Sequence, residues 1–378
     1  NNSEIILQQH VSDNLNLSYY IFSSNFTNAW VNITINFTGE ELDDYATNLT
    51  NLTTGNYSYY FIIYDDAGNS NTTSTRNLTI LGEPPPLNIT LISPVEEQNT
   101  SSALNTFQYN FTGGNASACL LLLDTTQINK TNNPSQNAPL NFTNTLAEGI
   151  HAWSIQCNNT NNNLYNSDER ILTVDLTSPN GTLIFPTNGT ANSSTSHNFT
   201  ANISDNLGIK NATLNIYNAT NYLINSTVTT FVGVVQTTLG IVVTLVDGVY
   251  SWFYNLFDFA GNIFNTSNYT ITIDTTPPII SNIVYYPNDS DSVDPVTNIT
   301  VNATITDALL SVNRSILQVH NGTSWFNTSM TRFGSTNIYQ ANISLISTEA
   351  NYTFNVWAND TLNNKNNSLN QTFLSSWD

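Results

Sequence analysis

The chain has 378 residues, two cysteines, and 7 Lys and Arg against 27 Asp and Glu, for a net charge of −20. So acidic a surface excludes nucleic acid and anionic membrane as partners, since both demand basic patches, and it favours cations or simple colloidal solubility. With 18 Tyr and 18 Phe the chain has apolar bulk for several cores, so disorder is not implied, and the length suggests two to four domains.

In chain order the first readable element is a strand over 4–9, followed by a loop at Asp13. A strand then opens on Gly55-Asn56-Tyr57-Ser58-Tyr59 and leads to the turn Asp65-Asp-Ala-Gly-Asn69. The opening phrase returns as Gly149-Ile150-His151-Ala152-Trp153, Gly248-Val249-Tyr250-Ser251-Trp252 and Ala350-Asn351-Tyr352-Thr353-Phe354, at spacings of 94, 99 and 102 residues. Ten residues into each copy stands Asp65, Asn159, Asp258 or Asp360, and 52 or 53 residues upstream of three of them stands Asp13, Asp205 or Asp307. The second copy has Gly113-Gly114-Asn115 near that place. Repeats close on a short strand and a Pro-bearing linker, as in Leu172-Thr-Val-Asp175-Leu-Thr-Ser-Pro179 and Ile271-Thr-Ile-Asp274-Thr-Thr-Pro-Pro278. Short β-branched and aromatic segments bounded by Asn, Gly, Asp and Ser lie between, with no sustained helical period. The expected fold class is all-β: four tandem immunoglobulin-like sandwiches at 1–82, 83–175, 176–274 and 275–378, each of seven or so short strands. The Tyr of the repeated phrase reads either as core or as a tyrosine corner, and His151 takes its place in the second copy.

Of 63 asparagines, 38 sit in Asn-x-Ser/Thr sequons. AA-rich codons would raise Lys equally, and only Lys130, Lys210 and Lys365 occur, so the surplus reads as an extracellular chain built for N-glycans. In Asn32-Ile33-Thr34-Ile35-Asn36-Phe37-Thr38 polar and apolar residues alternate, which on a strand sends Asn and Thr to solvent and x to the core. The candidate acceptors are Asn16, Asn25, Asn32, Asn36, Asn48, Asn51, Asn77, Asn88, Asn110, Asn141, Asn198, Asn202, Asn211, Asn218, Asn268, Asn298, Asn302, Asn313, Asn342 and Asn359. Cys119 and Cys157 would pair in an oxidising compartment, with two free buried thiols as the alternative. The apolar run over 231–257 is interrupted too often to span a membrane. A chain already freed of any leader is the expectation.

Asp-x-Ala-Gly-Asn, a strand and then Asp-Thr-Thr-Pro-Pro resemble the tandem immunoglobulin-like repeats of prokaryotic, especially archaeal, secreted surface glycoproteins. The unit holding Cys119, Trp153 and Cys157 is similar to a variant of those modules. The resemblance covers essentially the whole chain and implies architecture rather than activity, since this fold serves as stalk, adhesin, lattice and filament subunit alike.

Only Asn1 to Ser12 precede Asp13, so the first unit is expected to lack its first strand, and Asp378 falls in the phase of Asp175 and Asp274. An open sandwich edge invites strand addition, and end-to-start docking repeated without closure makes a filament. The expected partner is therefore the chain itself, head to tail outside the cell. The alternative is an adhesin stalk or carbohydrate-binding surface protein seen as a segment of a longer chain. Immunoglobulin topology brings the incoming linker and two loops to one end, so Asp175 with Asp205 and Asp258, and Asp274 with Asp307 and Asp360, are candidate Ca²⁺ ligands. Asp13 and Asp65 would be completed by Asp378 of a neighbour. Turn-capping explains the same acids without an ion. Trp30, Trp325 and Trp377 lie outside the repeated phrase as candidate sugar platforms. Scattered histidines (His10, His151, His197, His320) and the lack of any HExxH, GxSxG or phosphate-cradling loop speak against an enzyme.

Overall fold

The computed structural model describes residues 5–13, 16–37, 42–49, 52–288, 293–345 and 349–377, without the side chains of 8 and 42–49. The described residues form strands and turns with no helix.

The first unit comprises β1 (Ile5–Ser12), β2 (Leu17–Ser24), β3 (Val31–Asn36), β4 (Leu42–Leu49), β5 (Gly55–Asp65), β6 (Ser70–Thr72) and β7 (Arg76–Ile80). Here β1 pairs with β4 in one sheet, while β3, β2, β5 and β6 run in order through the other, with β7 also on β5.

In the second unit the strands are β8 (Asn88–Ser93), β9 (Gln98–Thr100), β10 (Leu104–Thr112), β11 (Ala116–Leu123), β12 (Thr126–Asn132), β13 (Leu140–Thr145), β14 (Gly149–Asn159), β15 (Leu164–Asn166) and β16 (Arg170–Val174). One sheet is β13-β10-β8; the other is β12-β11-β14-β16-β9, with β9 parallel to β16.

The third unit has β17 (Asn180–Phe185), β18 (Thr190–Asn192), β19 (Ser196–Asn218), β20 (Leu223–Thr244), β21 (Gly248–Asp258), β22 (Ile263–Asn265) and β23 (Tyr269–Ile273). The fourth has β24 (Ile279–Tyr286), β25 (Asn298–Thr306), β26 (Val312–His320), β27 (Trp325–Ser329), β28 (Thr331–Arg332), β29 (Ile338–Ser344), β30 (Ala350–Asp360), β31 (Lys365–Asn367) and β32 (Gln371–Ser375). In the second to fourth units an entering strand pairs antiparallel with the next long strand, passes a cis X-Pro bond at Pro94, Pro186 or Pro287, and crosses to lie parallel to the closing strand. Two facing antiparallel sheets with that switch are an immunoglobulin-like sandwich.

Packing follows the alternation of the sequence. Phe107, Tyr109 and Phe111 on β10, Phe199, Ala201 and Ile203 on β19, and Ile299, Val301, Ala303 and Ile305 on β25 all point inward and are buried. Trp153 and Trp252 on the 11-residue strands β14 and β21 are fully buried, with ring centroids 5.1 Å from Phe107 and 5.0 Å from Phe199. Four separate hydrophobic clusters result, one per unit. The proposed boundaries at 82, 175 and 274 fall between these clusters, in the linkers after β7, β16 and β23.

The repeated Tyr is both core and corner. Tyr57 and Tyr250 are buried, and their hydroxyls donate to the carbonyls of Thr53 (2.8 Å) and Val246 (3.0 Å), four residues upstream. His151 Nε2 makes the same contact with Ala147 O at 3.0 Å, while its Nδ1 lies 2.8 Å from Asp124 Oδ2.

Two expectations need correction. The third unit is not built of short strands: β19 and β20 run 23 and 22 residues and stay paired across both sheets, through a bulge at 205–208. Gly208, at φ +128°, approaches Gly233 so closely that a Cβ on it would sit 3.2 Å from the Gly233 Cα. Two bare backbones let the ladder bend there instead of breaking into loops. Nor does every sequon bury its middle residue. Phe199, Ile203, Ile299 and Ile343 are buried, but Ile33 stays 48% exposed on the edge strand β3.

Candidate metal centres at the unit junctions

Each junction is assembled from a turn, a loop and a linker. In the turn after β21, Asp258 Oδ1 accepts from the backbone N–H groups of Gly261 (2.7 Å) and Asn262 (2.8 Å). Gly261 supplies the positive φ of +93° that the turn requires. Asn262 Nδ2 donates to Asp258 Oδ2 at 2.7 Å and to the carbonyl of linker Asp175 at 2.8 Å, so one amide ties turn to linker. The bulge places Asp205, whose Oδ2 accepts from Leu207 N and Gly208 N at 3.0 and 2.7 Å. Asp175 Oδ1 accepts from Thr177 N at 3.2 Å.

The next junction repeats this arrangement with different capped amides. Asp360 Oδ1 accepts from Leu362 N (2.8 Å) and Asn364 N (2.9 Å), and Asn364 Nδ2 donates to Asp360 Oδ2 (2.7 Å) and to Asp274 O (2.9 Å). Asp307 Oδ1 caps Leu309 and Leu310, and Asp274 Oδ1 accepts from Thr276 N and Oγ1.

In Asp205, Asp274 and Asp307 capping uses one oxygen and leaves the other over, whereas Asp258 and Asp360 also accept from Asn262 and Asn364 on the second. Asp175, Asp205 and Asp258, and likewise Asp274, Asp307 and Asp360, each bring one carboxylate oxygen to within 4.8 Å of the other two. All are buried except the half-buried Asp307, and Asp205 Oδ1, Asp274 Oδ2 and Asp307 Oδ2 are enclosed without a hydrogen-bond partner. Burial, then the charges of Asp205, Asp258 and Glu148, push Asp175 up to about 6. Burial, then the charges of Asp307 and Asp360, raise Asp274. Three convergent carboxylates with orphaned oxygens among them fit a hard divalent cation.

Acids that the sequence reading did not single out brace the same linkers. Glu148 Oε2 accepts from Thr177 Oγ1 at 2.7 Å and its Oε1 from Asn206 Nδ2; Asp247 Oδ1 accepts from Thr275 Oγ1 at 2.8 Å. The signal was present: Glu148, Asp247 and Glu349 each immediately precede the repeated phrase.

In the first unit Asp65 caps its turn through Asn69 N at 2.7 Å, and Asp13 and Asp65 line one surface depression. Asn51 and Asp378 lie outside the described residues, and of Asn48 only its place in β4 is described. Cys119 and Cys157 form a disulfide with sulfurs 1.95 Å apart, at paired positions of neighbouring β11 and β14 within one sheet. Among the candidate acceptors Asn16, Asn32, Asn36, Asn77, Asn88, Asn141, Asn198, Asn202, Asn268, Asn298, Asn313 and Asn342 are exposed. Asn25, Asn110, Asn211, Asn218 and Asn302 are half-buried. Asn359 is 6% exposed with its Nδ2 on Asn363 Oδ1, so the folded chain offers no room for a sugar there. Trp30 and Trp325 are each 53% exposed, against Tyr60 and His320, and Trp377 is 58% exposed.

No family model matches the sequence, and no curated protein sequence matches it. Among solved structures the chain is similar to a tetra-tandem repeat in the extending region of a large adhesion protein, at 15% identity over 98% of this chain and 95% of that one, with a TM-score of 0.35. It is also similar to a structure concerning host cell surface retention of a 1.5-MDa bacterial ice-binding adhesin, at 12% identity over 78% and 98%, TM-score 0.35. A third is the fibronectin(III)-like modules of Clostridium thermocellum CbhA, at 15% identity over 49% and 94%, TM-score 0.30. The chain is an all-β tandem array of immunoglobulin-like sandwiches, by its own sheets. Superpositions this loose carry nothing further over to it.

Proposed function

We propose that the chain is a structural subunit of an extracellular, N-glycosylated assembly, a rod whose junctions are locked by Ca²⁺. The observation that carries this reading is the twice-built carboxylate trio, in which the linker of one unit supplies the third oxygen to two loops of the next. An ion held there resists bending and rotation of one unit on another, which is a mechanical task rather than a catalytic one. Calorimetry of the native glycosylated protein tests it. Two Ca²⁺ per chain are expected with dissociation constants of about 10⁻⁴–10⁻³ M or tighter; no heat at millimolar Ca²⁺ would end the proposal.

The finer reading is head-to-tail assembly by strand complementation. In the other units the entering segment covers the edges of β10, β19 and β25 and lies along β16, β23 and β32, whereas among the described residues β1 pairs with β4 alone, and β7 with β5 alone. Two open edges in one sandwich match what a strand from a second copy would cover. The exposed Trp30, Trp325 and Trp377 support the alternative of an adhesive or carbohydrate-binding surface protein.

A further inference from the structure

Strand β20 pairs with β19 along one side, and no described strand lies on the other. Its inward residues Phe231, Leu239, Ile241 and Val243 pack on the core of the third unit. Its outward residues mix uncharged polar groups, Thr230, Gln236, Thr238 and Thr244, with Val228, Val232, Val235 and Val242, which are 58, 97, 54 and 67% exposed. A long edge with open backbone groups is a template for another strand unless charge, proline or a covering element blocks it. Here none does, since residues 211–246 contain no Lys, Arg, Asp, Glu or Pro.

A second, independent feature marks the same place. Sequons recur along the chain, yet residues 226–264 hold none, the widest gap, against 159–179 as the next. Other edge strands carry them: Asn32 and Asn36 on β3, Asn129 on β12, Asn141 on β13 and Asn180 on β17. Asn198 and Asn202 on neighbouring β19 lie over Gly240 and Thr238 of β20, Asn202 Oδ1 accepting from Thr238 Oγ1, on the sheet face rather than in the plane of the open edge.

We propose that Gln236–Thr244, the half of β20 beyond the bend, pairs antiparallel with the same segment of a second copy, joining two rods side by side. The occupant must bring open backbone groups, no charge and no sugar. A second copy presents such an edge, and two chains of net charge −20 can approach with least repulsion where neither carries charge. Antiparallel pairing of a strand with itself is an isologous two-fold contact, which closes at two rods and leaves their ends free.

Electron micrographs of the native glycosylated protein in chelator test this independently of the Ca²⁺ junctions. Val242→Asn creates the sequon Asn-Val-Thr on the edge, and Val249→Asn creates Asn-Tyr-Ser elsewhere on the same unit. Mass spectrometry confirms that each carries sugar. The expected result is side-by-side pairs touching at the third unit in the parent and in Val249→Asn, falling by about tenfold or more in Val242→Asn. Absence of such pairs in the parent, or pairs that persist in glycosylated Val242→Asn, would overturn the proposal.

Discussion

On the proposed reading, the side chain of Asp274 serves fold and ion together. Its Oδ1 caps Thr276 while its buried Oδ2 faces Asp307 and Asp360 without a donor. Replacing it by Asn removes one full charge, so Asp274→Asn is expected to cut the stoichiometry from two Ca²⁺ to one while leaving the 175–205–258 site intact, as calorimetry would read. The pH dependence has a definite sign. Asp175 rises from its usual 3.8 to about 6 because burial and neighbouring carboxylates oppose its charge. Its contribution is therefore fully present below pH 3.8 and lost as pH climbs through about 6 when no cation is bound. Scanning calorimetry in chelator should show the junction melting earlier at pH 7 than at pH 4.5. Millimolar Ca²⁺ should reverse that order, because protons compete with the ion for the carboxylates. If the melting order in chelator were the opposite, Asp175 would not carry the burial cost and charge repulsion assigned to it. At the corner, Tyr250→Phe removes the hydroxyl held by Val246 O, at a cost of about 1 kcal/mol in denaturant unfolding.

At the scale of elements, the repeated phrase was the most legible part of the sequence. Gly149, Gly248 and Ala350 each open an 11-residue strand, and alternation within those strands gave the inward face. The acid trios were legible too, because a period of about 100 residues aligned linker, loop and turn. What was hidden has physical reasons. Asp205-Asn-Leu-Gly208 reads as a loop, since Asp, Asn and Gly are turn formers. Only the distant Gly233, whose bare Cα accepts the Gly208 backbone, turns it into a bulge in a continuous strand. A Cβ at 208 meets that backbone at a φ of +128°, so Gly208→Ala should cost about 1–3 kcal/mol, measured by thermal unfolding of the third unit. The linker bonds of Asn262 and Asn364 were equally invisible, because a side chain that caps its own turn gives no sign that its second hydrogen reaches another unit. The Cys119–Cys157 bridge closes a separation of 38 residues, and replacing both by Ala should lower the stability of the second unit by ~4 kcal/mol in chemical denaturation.

For the whole molecule, the pattern of sequons and charge is coherent with a surface that must stay soluble while presenting little edge to other strands. With only 7 Lys and Arg it also offers trypsin-like proteases few sites. On the proposed reading function depends on three kinds of contact: carboxylate trios between units, a strand of a second copy along β1 and β7, and the sequon-free edge of β20 along the side. On the proposed four-unit division, sandwiches of roughly 35 Å each give an expected subunit length of about 140 Å. Cryo-electron microscopy of the native secreted material, without crosslinker or chelator, tests the central claim most directly. The account predicts filaments with an axial repeat of about 140 Å, density from one subunit pairing with β1 and β7 of the next, and a density peak inside each aspartate trio. Isolated rods, or a first unit whose missing strand is supplied by continuous upstream chain, would contradict head-to-tail assembly.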